Sequence, residues 1–344
     1  MQPNLIAISN DSRTFDMWSS RRSILLQTVS LGVATFAFDR AVAQNYPSRP
    51  VKLILASPPG GPQDIAVRLL AERLSLAFGQ PFVTENLAGG AGGTIGASVV
   101  AKAVPDGYTL LGALPASFVA APALYPNLGY DPARDFLPIA SIFRSPQLLT
   151  IYPGLPIHSI RDLVDYAKAN PGKVNYASAG YGTAPHLLGE MFRQMTGIDI
   201  VHVPYKGAVG GITDLLAGRV QMAFQVVPLM AAHVQAGKLR ALGVTDDRRS
   251  LMLPEVPTTA ESGYPDLQAI TWFGVLAPAG TSPEIISSLN TTINRILSSN
   301  EMIRTLSTFD AIPMPSSPAS FAAFIAAERK KWTDIIRRGD IKIE

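Results

Sequence analysis

From residue 46 onward, short runs of β-branched residues alternate with longer amphipathic ones, a pattern that admits little besides an α/β fold with a largely parallel sheet. The first block reads as strand 51–56, helix 64–78, strand 82–85, helix 94–103 and strand 108–113. A second block reads as helix 163–169, strand 174–177, helix 185–196, strand 200–203, helix 210–217, strand 222–226, helix 229–236 and strand 239–244. A strand at 270–277 follows, and then only helices, at 283–298, 300–307 and 318–337. Two of these open on Ser282-Pro283 and Ser317-Pro318, in which the serine caps the helix and the proline takes its first position. The apolar runs 139–152 and 271–276 flank the second block and are expected to cross between two lobes, with the last helices packing back on the first. The expected division is 44–145 plus 270–344 for one lobe and 146–269 for the other.

The first 43 residues do not belong to that pattern. Ser20-Arg21-Arg22 precedes an apolar stretch at 24–38 and then Ala41-Val42-Ala43, the order of a positive region, an apolar region and a small-residue processing site. The stretch is interrupted by Gln27, Thr28 and Ser30 and is short for a membrane span, so it reads as an export signal cleaved near Ala43. The arginine pair suits a twin-arginine route as well as general secretion. The mature protein is expected to be soluble and to act outside the cytoplasm. Its removal takes four arginines and three aspartates from 29 basic and 26 acidic residues, leaving a net charge of +2. With no dense Lys/Arg stripe, neither nucleic acid nor a membrane surface is an expected partner. Arg329-Lys330-Lys331 reads as the solvated face of a terminal helix. The absence of cysteine excludes disulfides, thiolate metal sites and cysteine nucleophiles.

Catalytic and cofactor motifs are weak. The four histidines, His158, His186, His202 and His233, have no metal-ligand spacing, so no metal or other cofactor is expected. Ser178 has Tyr176 where a nucleophile elbow needs glycine. The run 89–96 misses the dinucleotide spacing and reads as a close-packing turn.

Two glycine-rich turns remain, Ser57 to Asp64 and Ser178 to His186, each leading from a strand into a helix. Such turns leave backbone N–H groups pointing outward with the positive end of a helix dipole behind them, which suits an anion. In the first turn the expected donors are the amides of Gly60, Gly61, Gln63 and Asp64, with Pro59 stiffening the loop. The Asp64 side chain reads first as an acceptor for a backbone N–H, since its charge would repel a carboxylate. In the second turn the amides of Ala179, Gly180 and Gly182 are joined by the side chains of Ser178, Thr183 and His186. These three side chains could equally satisfy turn backbone, with His186 a buried neutral ring. A third strand-to-helix segment adds Tyr205 and Lys206.

Pro59-Gly60-Gly61-Pro62-Gln63-Asp64, Glu85-Asn86 with Gly90 to Gly96, Pro105-Asp106-Gly107-Tyr108-Thr109-Leu110, Ser178-Ala179-Gly180 with Gly182-Thr183 and His186, and Val203-Pro204-Tyr205-Lys206-Gly207 stand in one order. With Glu328-Arg329, Trp332 and 339–342, that order resembles the Bug-type periplasmic receptors of tripartite tricarboxylate transport systems over essentially the whole mature chain. The resemblance implies a two-lobed type II periplasmic-binding-protein fold, the Venus flytrap, with a ligand cleft between lobes. It also implies that the loops 58–64 and 178–186 clamp one carboxylate, partly through water. Ser57-Pro58-Pro59 departs from the commoner Pro-Phe form of the first loop.

The expected function is a monomeric solute-binding receptor, not an enzyme, that takes a small organic carboxylate and passes it to the membrane permease subunits of a secondary transporter. Two alternatives stand beside it: an exported serine hydrolase using Ser178 and His186, and a ligand-sensing input to a signalling partner. An amino acid, a di- or tricarboxylate, an aromatic acid or a carboxylated amide would each suit the clamp.

Overall fold

The apolar run Val51–Leu55 forms β1, with Leu53 and Leu55 wholly buried, as expected of a parallel strand covered on both faces. The computed structural model describes residues 46–342 apart from 58, 91 and 126, so the export signal expected at 1–43 lies outside the described residues. After β1 come α1 (Pro62–Phe78), β2 (Phe82–Asn86), α2 (Thr94–Ala101) and β3 (Thr109–Ala113). A π-helical turn at Ala116–Ala120 runs into α3 (Ala121–Leu124), and the long β4 (Phe136–Ile151) follows. The second block is α4 (Ile160–Ala169), β5 (Val174–Ser178), α5 (Ala184–Thr196), β6 (Ile200–Pro204), α6 (Ala208–Leu216), β7 (Met222–Val226), α7 (Val227–Gln235) and β8 (Arg240–Val244). The chain then forms β9 (Ile270–Pro278), α8 (Pro283–Leu297), α9 (Asn300–Ser307), β10 (Ile312–Pro313) and α10 (Pro318–Arg338).

The strands follow the order β2-β1-β3-β9-β4-β7-β5-β6, with β8 and β10 also on β4. Pairing is parallel within β2-β1-β3 and within β7-β5-β6, the two blocks with helical crossovers. It is antiparallel wherever β4 or β9 takes part, so the sheet is mixed where the alternation alone predicts a largely parallel one. The cause is the connections: β4 and β9 are entered from irregular segments, and only a parallel neighbour demands a long crossover. β4 pairs with β9 from Phe136 to Pro146 and with β7 from Gln147 to Ile151. Gln147 is therefore the residue at which β4 passes from one strand group to the other.

Helix ends divide into two kinds. Ser159, Ser282, Ser299 and Ser317 cap α4, α8, α9 and α10 through their side chains, with Pro283 and Pro318 taking the first helical position of α8 and α10. The helices that leave the glycine turns, α1, α2, α5 and α6, have no side-chain cap. Their first amides are left for something else.

Where β9 crosses β4, α10 lays Phe321 and Phe324 edge-on against Trp272, with ring centroids 5.5 and 5.9 Å away. Trp272 is wholly buried, a core residue. Gly274 lies under Phe321: a Cβ there would stand 2.2 Å from the ring and 3.0 Å from the Ala140 carbonyl. Gly274→Ala should therefore destabilise the protein by about 1–3 kcal/mol through overpacking. A lowered urea midpoint with an unchanged m-value would register it.

Candidate functional site

The first turn is held by Asp64. Its carboxylate accepts hydrogen bonds from Gly60 N–H (3.0 Å), Arg68 Nε (3.0 Å) and Asn86 Nδ2 (2.9 Å). Arg68, then Gly60 and Asn86, hold its pKa down to about 2. Helix α1 begins at Pro62 with Gly61 as N-cap, two residues earlier than the sequence pattern suggests, so Asp64 reaches back past the cap instead of occupying it. The Gly60 amide, counted above among ligand donors, is thus engaged within the turn. Gln63 is buried and donates to the Gly112 carbonyl at 3.1 Å, fastening the turn to the end of β3. Pro59 and Gly60 are exposed.

The second turn is satisfied in the same internal way. Gly180 N–H donates to Ser178 Oγ (3.0 Å), Gly182 N–H donates to His186 Nδ1 (3.0 Å), and Thr183 Oγ1 donates to the Gly180 carbonyl (2.7 Å). Two amides counted as ligand donors therefore serve the turn, and Ser178, Thr183 and His186 do what the simpler structural alternative gave them to do. Ser178 is buried, and its hydroxyl meets Nε2 of His202, not His186, at 2.7 Å. His186 and His202 stack with centroids 3.9 Å apart, Tyr176 stacks on His202, and Tyr181 stands edge-on to both histidines. Burial lowers the pKa of each histidine to about 4, so the pair is neutral. An acceptor at Nδ1 places the His186 proton on Nε2.

In the third segment, the Tyr205 hydroxyl donates to Asp214 Oδ2 at 2.7 Å, and burial pushes its pKa up to about 12. Lys206 is exposed.

A cavity of about 190 Å³ lies beside the second turn. Its walls are Leu114–Ala116, Val119 and Ala120 after β3, Gly182–Ala184 and Leu187 at the start of α5, Gln147 and Ala269–Thr271 at the β4/β9 crossing, and Trp332 of α10. Of the residues singled out from sequence, Gly182 and Thr183 line it; Ser178 and His186 do not, although His186 holds the Gly182 amide. Pro59, Gly60, Gly61, Gln63, Asp64, Ala179, Gly180, Tyr205 and Lys206 stand outside the lining. The glycine run 89–96 packs closely, as expected: a Cβ on Gly93 would lie 2.5 Å from the Ala56 carbonyl and one on Gly96 3.1 Å from that of Leu87.

Among the described residues the lining carries no charged side chain. Its polar elements are Thr183, the pair Gln147 and Thr271, joined at 2.9 Å from Gln147 Nε2 to Thr271 Oγ1, and the open end of α5. Thr183, the N-cap of α5, makes no side-chain cap, and Pro185 has no N–H, so the amides of Ala184 and His186 have no partner within the helix. Gln147, Thr271 and Trp332 escape a reading from sequence. A polar residue inside the apolar run 139–152 is a faint signal for Gln147, whereas nothing separates Trp332 from an ordinary core position.

A family model described as the tripartite tricarboxylate transporter family receptor matches residues 66–341. The chain belongs to this family. The receptor is similar to Protein BugT of Bordetella pertussis, with 38% identity over 322 residues, 93% of this chain and 98% of that protein. It is also similar to the UPF0065 protein in the tcbD-tcbE intergenic region of Pseudomonas sp. strain P51, with 33% identity over 95% of this chain and 97% of the other. Among solved structures it resembles R. palustris Rpa4515 with adipate (TM-score 0.74, 38% identity, 87% of this chain and 100% of that one). It resembles MatC from Rhodopseudomonas palustris with bound malate at TM-score 0.70 and 29% identity, over 85% of this chain and 100% of that one. The architecture is the two-lobed α/β fold of periplasmic binding proteins. As a solute-binding receptor of this family it is not an enzyme, and the hydrolase alternative falls away.

Proposed function

We propose that this receptor captures a small organic carboxylate between lobes formed by residues 44–145 plus 270–344 and 146–269, and hands it to the permease subunits of a tripartite transporter. It acts as a monomer in the periplasm after cleavage near Ala43. The observation that carries this is the uncharged cavity into which the uncapped start of α5 opens. The open first turn of α5 at Ala184 and the dipole behind it favour an anion there, and apolar walls strengthen the attraction by excluding water. The cavity draws on both strand groups and on their crossing, so a ligand that touches all three favours the closed arrangement and thereby reports occupancy to the permease. The carboxylates in the neighbouring structures, adipate and malate, support the same ligand class.

A thermal-shift screen against small carboxylates, run after unfolding and refolding to strip co-purified ligand, tests this. A ligand at 100 times its Kd stabilises by about 2.7 kcal/mol, so a rise in Tm with at least one acid is expected. No rise with any of them would remove the proposal.

The first turn is the less secure half of the clamp. Gly61 has φ −81°, and a Cβ there meets nothing within 4 Å, so a side chain has room. Gly180, at φ 123° and with a Cβ there 3.3 Å from the Tyr205 carbonyl, would be strained by any substitution. Gly61→Leu should therefore leave Tm nearly unchanged and, because Gly61 stands outside the cavity lining, hold carboxylate Kd within about twofold of the parent. An unaltered Kd by calorimetry would confine the site to the second turn.

A further inference from the structure

Resting on the carboxylate proposal above, we infer that the ligand is a monocarboxylate whose apolar body ends in an uncharged hydrogen-bond donor, a hydroxyl or amide N–H, seated on Oε1 of Gln147. Among the described residues the lining's one place for negative charge is the open start of α5 at Ala184, whose amide has no partner within the helix. Leu114, Val119, Leu187, Ile270 and Trp332 offer only apolar surface. A second carboxylate would lie against these walls with no lysine, arginine or histidine among the described lining residues to meet it, and an unpaired buried charge is far more costly than a buried neutral group.

The neutral end is specified by Gln147. This side chain is 2% exposed, and its Nε2 is already committed to Thr271 Oγ1. Its Oε1 is buried without a hydrogen-bond partner in the protein. A buried amide oxygen left in that state is unfavourable, and a donor supplied by the ligand would complete it. Gln147 is moreover the residue at which β4 changes partners, with its N–H on Thr245 Oγ1 at 3.1 Å. The bond would therefore form at the crossing between the two strand groups.

Calorimetry on the stripped full mature protein with hexanoate, 6-hydroxyhexanoate and adipate separates the outcomes. The hydroxy acid should bind about tenfold tighter than hexanoate, the worth of one buried hydrogen bond, and adipate weakest of the three. In Gln147→Leu the preference for the hydroxy acid over hexanoate should shrink to within about twofold, whatever the affinity for hexanoate itself. The comparison of the three acids on the unaltered protein decides the matter even if that variant does not fold. Adipate binding as tightly as the hydroxy acid, or equal affinities for hydroxy acid and hexanoate, would overturn the inference and leave the carboxylate receptor standing. No binding by any of the three, together with a screen of carboxylates that raises no Tm, would overturn both.

Discussion

Replacing Ala184 with aspartate should lower carboxylate affinity at least about 100-fold while Tm holds or rises, because two opposite electrostatic effects meet at one position. Ala184 is the first residue of α5 and lines the cavity. A carboxylate side chain at a helix N-terminus is stabilising by about 0.3–1 kcal/mol. The same charge would stand within a few ångströms of a bound anion. Two like charges about 4 Å apart at an effective dielectric constant near 20 repel by about 4 kcal/mol, enough for two to three decades in Kd. The neutral control is Ala184→Asn, which adds similar bulk without charge and should lose far less affinity. An Asp variant binding within about threefold of the parent would show that the α5 terminus does not face the ligand's charge. A cavity-filling artefact would instead reduce affinity equally in both variants.

The strands and helices of the two blocks were readable because each is short, periodic and punctuated by glycine or proline, and Ser282 and Ser317 cap the helices that their Ser-Pro pairs announce. Less legible was everything decided by chain segments meeting from afar. The antiparallel role of β9 depends on how residues 245–269 return to the sheet, and the π-helical turn at Ala116–Ala120 has no period of its own. The same division runs through the site. Local bonds such as Gly180 N–H to Ser178 Oγ were within reach of a reading along the chain. The partner of Ser178 was not: His202 arrives on β6, whose register against β5 sets Tyr176 beside His202. An amide donor counted from sequence is also only potential. Gly60, Gly180 and Gly182 each spend theirs on a side chain of their own turn, which leaves the uncapped start of α5 at Ala184, with Thr183, Gln147 and Thr271, as the polar part of the cavity wall.

Lowering the pH from 7 to 4.5 should destabilise this receptor by roughly 5 °C in Tm or more, and most of that loss should disappear in His186→Asn/His202→Gln. Burial lowers both histidines to about 4, with His202 held down further by His186 and pulled up in part by Glu190. In the unfolded chain they titrate near the ordinary value of about 6.5. Between those values the unfolded state binds more protons than the folded one, so stability is complete above about pH 6.5 and declines as pH falls towards 4. The loss has a structural target. Protonated Nδ1 of His186 becomes a donor pointing at the Gly182 N–H it formerly accepted, and two cationic rings 3.9 Å apart repel across the stack. Asparagine at 186 offers an amide oxygen near the position of Nδ1, and glutamine at 202 offers an amide near Nε2 for Ser178, so the substitutions keep the hydrogen bonds and remove the titration. Tyr181, edge-on to both rings, and the Tyr176 hydroxyl, 2.8 Å from Glu190 Oε1, remain as packing around the variant pair. A melting curve whose pH dependence between 6.5 and 4.5 is the same in parent and double variant would place the acid sensitivity elsewhere. Its source would not be Asp246, which is buried against Arg144 with its pKa raised to about 6 by burial. That group has the opposite sign: its stability contribution grows as pH falls, so it would offset the histidine loss and could not produce it.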